Sequence, residues 1–338
     1  NWAVSGSKTA TGMPILANDP HLDLTLPSIW YQIQLVTPTM NVYGVSLPGS
    51  PHVIIGFNKD VSWGVTNVDA DVLDWYQVKF KDNKKDEYWY NNKWNKVTRR
   101  VETIGIRGGK TITDTILYTH QGPVTYIAPQ KPFNDNIPVG TAMRWIAHDK
   151  SDELSTFYKL NRAKNYADYR EALKTYTAPA QNFVFADNEN DIAITPNGKY
   201  PLKWRDQGKF VLDGSDPQND WQGWIPSEQN PTVKNPVRGF VSSANQSSTD
   251  PTYPYYLNWE FAPYERGTRI NQRLNQMNNI NVDSIRQLQN DNYSVHAENV
   301  RTTMLSLVDQ TQLSKKEEVE CYTLVNNWNN YYNATAIA

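Results

Sequence analysis

Asp69, Asp71 and Asp74 crowd into one short stretch, DADVLD. Hard oxygen ligands at that density suit calcium; an acidic, solvated turn is the competing reading. Other catalytic chemistries lack their residues. No Gly-x-Ser-x-Gly elbow occurs, so a serine of the α/β-hydrolase type is unsupported. No His-Glu-x-x-His occurs, and the five histidines are scattered, which argues against a zinc site. GIRGGKT, from Gly105, is one residue short of a phosphate loop and sits between two strand-like runs, so it reads as a hairpin turn. Cys321 is the sole cysteine and cannot close an internal disulfide. In EEVECYTLVNNW it reads as a small buried hydrophobe rather than a nucleophile.

The elements that must position any site follow from periodicity. Residues 1–145 read mainly as strands: VYGVSLPG, HVIIGF and VSWGVTNV are short β-rich runs punctuated by Gly and Pro. EYWYNNKW and the run through RGGKT read as hairpins turning at NN and RGG. From 151 to 176 the pattern becomes helical, with Leu154, Phe157, Tyr158, Ala163, Tyr169 and Leu173 in step and a cap region at Ser151–Glu153. Strands and long loops are expected over 181–270, in NFVFAD, DIAITPNG and RGFVSSAN, and helices over 282–330. The Pro- and Asn-rich stretch from Lys203 to Pro236 is long for a loop, and such loops are often functional. With 33 basic and 35 acidic residues and no single-sign block, nothing points to a nucleic-acid partner. No apolar run approaches the roughly 18–20 residues of a membrane-spanning helix.

Several stretches resemble, in order, the β-subunit of the penicillin acylases: NWAVSGSKTATGMPILANDPHL, IIGFNKDVSWGVTNVDADVLDWY, HQGPV, FYKLNRAKNYADYREAL, NFVFADNENDIA, GFVSSANQSS and YERGTRI. That family also contains acylases of acyl-homoserine lactones and lipopeptides. The resemblance implies an α+β fold of the N-terminal-nucleophile hydrolase type, two antiparallel sheets between helical layers, with residues 1–338 forming part of one such domain. It implies a precursor that cuts itself so that a new N-terminal serine becomes the nucleophile. The family start Ser-Asn-x-Trp, laid on Trp2, puts that serine two residues before Asn1. The chain then reads as the N-terminal part of a β-subunit whose C-terminal portion and α-subunit lie outside it.

The same resemblance assigns roles. The backbone N–H of Asn67 and the side-chain amide of Asn245 would stabilise an oxyanion, a turn asparagine and a loop residue being the bland readings. Arg266 would orient Asn245, with Arg269 as a possible slip of register; either arginine could instead pair with Glu265. His21 would touch the nucleophile's amine, or be a plain loop histidine. Leu22, Ile55 and Val65 would line an acyl pocket suited to aliphatic chains. Asp71, Asp74 and the Leu73 carbonyl would hold a structural calcium, with another acid expected near Tyr256 or Leu257, where none occurs, and a further ligand from the α-subunit. No organic cofactor is implied. The expected function is hydrolysis of the linear amide of an N-acylated small molecule, such as a β-lactam side chain, an acyl-homoserine lactone or an N-acyl peptide. The alternative is an inactive homologue that binds acyl or cell-wall ligands. The α-subunit would be the partner, and the location periplasmic or secreted.

Overall fold

The structure is a computed structural model that describes residues 1–20, 22–126 and 136–337. Its centre is a seven-stranded antiparallel sheet. In spatial order the strands are Val233–Lys234, Ile192–Asn197, Gln181–Asp187, Val61–Asn67, Ile55–Asn58, Met40–Ser46 and Tyr31–Thr37. A second antiparallel sheet places Trp2–Val4 between Phe240–Ser242 and Ile15–Ala17.

Alternation along two strands sets the layers, because successive side chains leave a strand on opposite faces. Phe183 and Phe185 face one way and pack with Phe157, Leu160, Tyr169 and Leu173, from helices α1 (Glu153–Leu160) and α2 (Tyr166–Leu173). Val184 and Ala186 face the other way and meet Ala3 and Val241 of the second sheet. The far side of that sheet presents Trp2, Val4 and Phe240 to Leu274, Ile285 and Leu288. Those three come from α3 (Glu265–Gln276) and α4 (Val282–Gln289). The result is helix, sheet, sheet, helix, with α5 (Val295–Ser306) and α6 (Lys316–Asn327) following.

Local chemistry explains the breaks. Asp152 caps α1 by accepting from the Ser155 N–H, and Asn165 caps α2 by accepting from Asp168. Between them the buried Asn161 accepts from the Val53 N–H (3.0 Å) and donates to its carbonyl (2.8 Å), tying the end of α1 to the large sheet. Asn91 and Asn92 both take positive φ (50° and 59°), as the two central residues of a tight hairpin turn require. GIRGGKT is likewise a hairpin, between strands Thr98–Ile106 and Lys110–Thr119.

Two expectations need correction. Helix α3 starts at Glu265, inside the stretch read as strands and loops to 270. Its buried Gly267 and Leu274, with Ile270 packed beside them, have helical spacing, but the segment is so polar that the stripe is thin. Cys321 is exposed rather than buried, because α6 buries none of its residues. No helix among the described residues is long and apolar enough to cross a membrane.

Candidate functional site

The strand Trp2–Val4 starts inside a cleft. The Asn1 nitrogen donates to the Ser243 carbonyl (2.8 Å), and the Ser243 N–H donates back to the Asn1 carbonyl (2.8 Å). The buried Asn1 side chain is fully engaged: its Nδ2 donates to Asn18 Oδ1 and to the Val65 carbonyl, both at 2.7 Å, and its Oδ1 accepts from the Asp19 N–H at 2.7 Å.

Asn67 ends the strand Val61–Asn67, and Asn245 lies just past the strand Phe240–Ser242. They meet directly. Asn245 Nδ2 donates to the Asn67 carbonyl at 2.9 Å. Asn245 adopts φ +66°, a conformation asparagine tolerates better than most side chains. Arg266, in the first turn of α3, donates to Asn245 Oδ1 (3.0 Å) and to the Ala244 carbonyl (2.9 Å). An amide whose oxygen is held by a guanidinium cannot flip, so its NH2 must face Asn67; one hydrogen goes there and a second is left. Arg269 is turned elsewhere, to Asp291 at 2.7 Å and the Tyr331 hydroxyl at 3.1 Å, and Glu265 faces His296 at 3.3 Å.

Residues beyond the expected set knit this cluster together. The fully buried Asn182 donates through Nδ2 to the Asn67 carbonyl (3.0 Å) and lies 3.1 Å from the hydroxyls of Thr66 and Ser243. Its Oδ1 accepts from the Ser248 hydroxyl (3.0 Å). A polar Asn182 opening the apolar run FVFA was the available signal. Asn1 and Ser243 had none, since what joins them is a main-chain pairing across 242 positions of sequence.

The cleft measures about 1360 Å³ and runs from Asn1, Asn67 and Asn245 to Arg269 and His296. One end is apolar, formed by Trp30, Leu47, Ile54, Val65, Phe157 and Tyr176. Leu22 and Val65 line the cleft, but Ile55 does not; its neighbour Ile54 does, and Ile55 packs in the core beneath. Ile54 sits at the bend just before the strand Ile55–Asn58. Pro20 also lines the cleft, while His21 lies outside the described residues.

The proposed calcium ligands fare differently. Lys203, with a side chain 1 % exposed, places its Nζ 2.7 Å from Asp71 Oδ2 and 2.9 Å from Asp74 Oδ1. Burial pushes both carboxyls up, and the Lys203 charge opposes that shift. Among the described residues no group of three or more His, Cys, Asp or Glu could hold a metal. The residues present therefore do not fit calcium at Asp71, Leu73 and Asp74: a cation, the Lys203 ammonium, already lies between the acids.

The chain as a whole is similar to known proteins. The penicillin amidase family model matches residues 1–338. The chain is 31 % identical over 303 residues to the acyl-homoserine lactone acylase QuiP of Pseudomonas aeruginosa, covering 87 % of this chain and 36 % of that protein. It is 28 % identical over 323 residues to the penicillin acylase 2 proenzyme of a Pseudomonas species, covering 94 % of this chain and 40 % of that one. The thermostable penicillin G acylase of Alcaligenes faecalis superposes with a TM-score of 0.78 at 21 % identity, over 98 % of this chain and 59 % of that one. The chain thus spans well under half the length of these sequence relatives, and its fold is that of the penicillin G acylase. By the match along its whole length, it belongs to the penicillin amidase family.

Proposed function

We propose that this chain is the site-bearing part of an amidohydrolase that cleaves N-acylated small molecules through an N-terminal serine two residues before Asn1. The observation that carries the reading is the placement of the Asn1 nitrogen, hydrogen-bonded to Ser243 and walled in with Asn67 and Asn245. Two further residues reach at most about 7 Å, which supports a serine held close to this cleft. Its hydroxyl would attack the amide carbonyl carbon and pass its proton to the serine's own amine, which then protonates the leaving amine; water releases the acyl group. Asn245 Nδ2 and the Asn67 N–H would meet the charge built on oxygen. The acylase names of the relatives support the same reaction class. Self-cleavage, an α-subunit packed on this chain and export to the periplasm or beyond belong to the same proposal.

Intact mass and N-terminal sequencing of protein expressed from the complete gene test it first. A processed chain starting Ser-Asn-Asn-Trp is expected. An uncut chain would favour the reading as an acyl-binding homologue without activity.

Two outcomes follow for the processed enzyme. The free α-amine of a serine two residues upstream of Asn1, enclosed by the same cleft, should be held by burial below its usual value of about 8. An amine whose value is lowered loses its basic form only when pH drops through that lowered value. Accordingly, kcat/KM should stay level from pH 8 down to about 7 and fall on an acid limb below that. A limb centred at 8 would contradict a buried base.

The apolar end should set acyl preference. Among chromogenic amides with phenylacetyl, phenoxyacetyl and C6 to C12 acyl groups, the aliphatic ones should turn over, and Ile54→Trp should shift preference toward shorter chains. Turnover of phenylacetyl amides alone would overturn this assignment.

A further inference from the structure

The geometry points to Lys203 as a built-in cation that replaces a metal ion between Asp71 and Asp74 and makes this corner of the fold independent of calcium. The arrangement lies outside the cleft, where the chain leaves Asn67 and enters the strand Leu73–Gln77. Lys203 arrives from the long loop read as functional. Its three ammonium hydrogens have three acceptors: Asp71 Oδ2, Asp74 Oδ1 and, at 3.5 Å, the Asp71 carbonyl.

The remaining neighbours are donors as well. Trp221 donates its indole N–H to Asp74 Oδ2 at 2.5 Å, and Tyr256 donates its hydroxyl to Asp71 Oδ2 at 3.2 Å. A calcium cage needs the opposite, acceptors on every side. Here each carboxylate is met by hydrogens, and a dication would meet the Lys203 charge at close range. Space is closed too: Gly208, at φ +87°, packs so tightly that a Cβ there would lie 1.7 Å from Asp74 Oδ1 and 3.0 Å from Lys203 Nζ. The backbone on one side is pinned by the Asp71 N–H donating to the Leu257 carbonyl at 2.8 Å. One lysine thus links the Asp71–Asp74 segment to the loops carrying Trp221 and Tyr256.

The test uses the processed enzyme from the complete gene and reads Tm and terbium luminescence. Terbium substitutes for calcium, and an ion between these acids would be sensitised by the adjoining Trp221. Wild-type protein is expected to show the same Tm in EGTA and in millimolar calcium, and no terbium emission that Trp221→Phe removes. Lys203→Met should lower Tm by roughly 5–10 °C, because two buried carboxylates lose their counter-charge. A wild-type emission abolished by Trp221→Phe overturns the inference, as does a Lys203→Met protein with unchanged Tm. Should Lys203→Met fail to fold, the wild-type terbium titration decides alone: no Trp221-dependent emission supports the lysine, and its presence refutes it.

Discussion

Asn245→Ala in the processed enzyme should lower kcat by about 10²–10³-fold while leaving KM nearly unchanged, the signature of a donor used mainly in the transition state. That corresponds to about 3–4 kcal/mol of barrier stabilisation. The side chain is held for the task on both sides: Arg266 fixes its oxygen and the Asn67 carbonyl takes one of its hydrogens. Asn245 also sits at φ +66°, where alanine is strained by about 1–2 kcal/mol. Asn245→Gly separates the two effects, since glycine relieves the strain but restores no donor. Equal losses in kcat for the two variants identify the amide as the cause. Recovery in the glycine variant would show that backbone strain, not a missing donor, lowered the rate. Asn245→Asp should be at least as damaging, because a carboxylate only accepts and would face the negative charge it is meant to stabilise.

Asn182→Ala is expected to cost about 2–3 kcal/mol of folding stability and about tenfold in kcat. The stability loss follows from removing a buried amide that meets four partners. Thr66, Ser243, Ser248 and the Asn67 carbonyl all lose a contact at once, Ser243 being buried and Thr66 and Ser248 half-buried. The rate loss follows from position. Asn182 joins the end of the strand Val61–Asn67 to the segment that carries Asn245, so its removal loosens the distance between the two oxyanion donors. Chemical denaturation gives the first number and steady-state kinetics the second. A variant with the expected loss of stability but wild-type kcat would show that Asn182 merely packs. An increase in KM alone would place its effect on substrate binding.

Much of the architecture was legible in one dimension. Short alternating runs before residue 145, a helical change near 151 and paired turns at Asn91-Asn92 and Gly108-Gly109 are local features, and each needs only neighbours in sequence. Helix α3 was not legible, since its apolar stripe is a few residues wide in a segment dominated by Arg, Asn and Gln, and burial against Trp2 and Phe240 defines its inner face. Cys321 failed for the reverse reason: its surroundings look amphipathic, yet α6, though it runs against α5, buries none of its residues.

The site divides along the same line. Residue types and ordered motifs singled out Asn67, Asn245 and Arg266, and the fold joins them across 178 positions of chain, from Asn67 to Asn245. The sequence alone determined which groups were available, because amide, guanidinium and carboxylate chemistry is carried by each residue wherever it sits. Only the tertiary structure decided what they face. Asp71 and Asp74 offer the same oxygens to calcium or to an ammonium, and the choice rests on Lys203, 129 residues beyond Asp74. Ile54, at the bend just before the strand Ile55–Asn58, reaches the cleft and Ile55 does not, because pairing with Met40–Ser46 sets where that strand begins and so which side chain is left at its mouth.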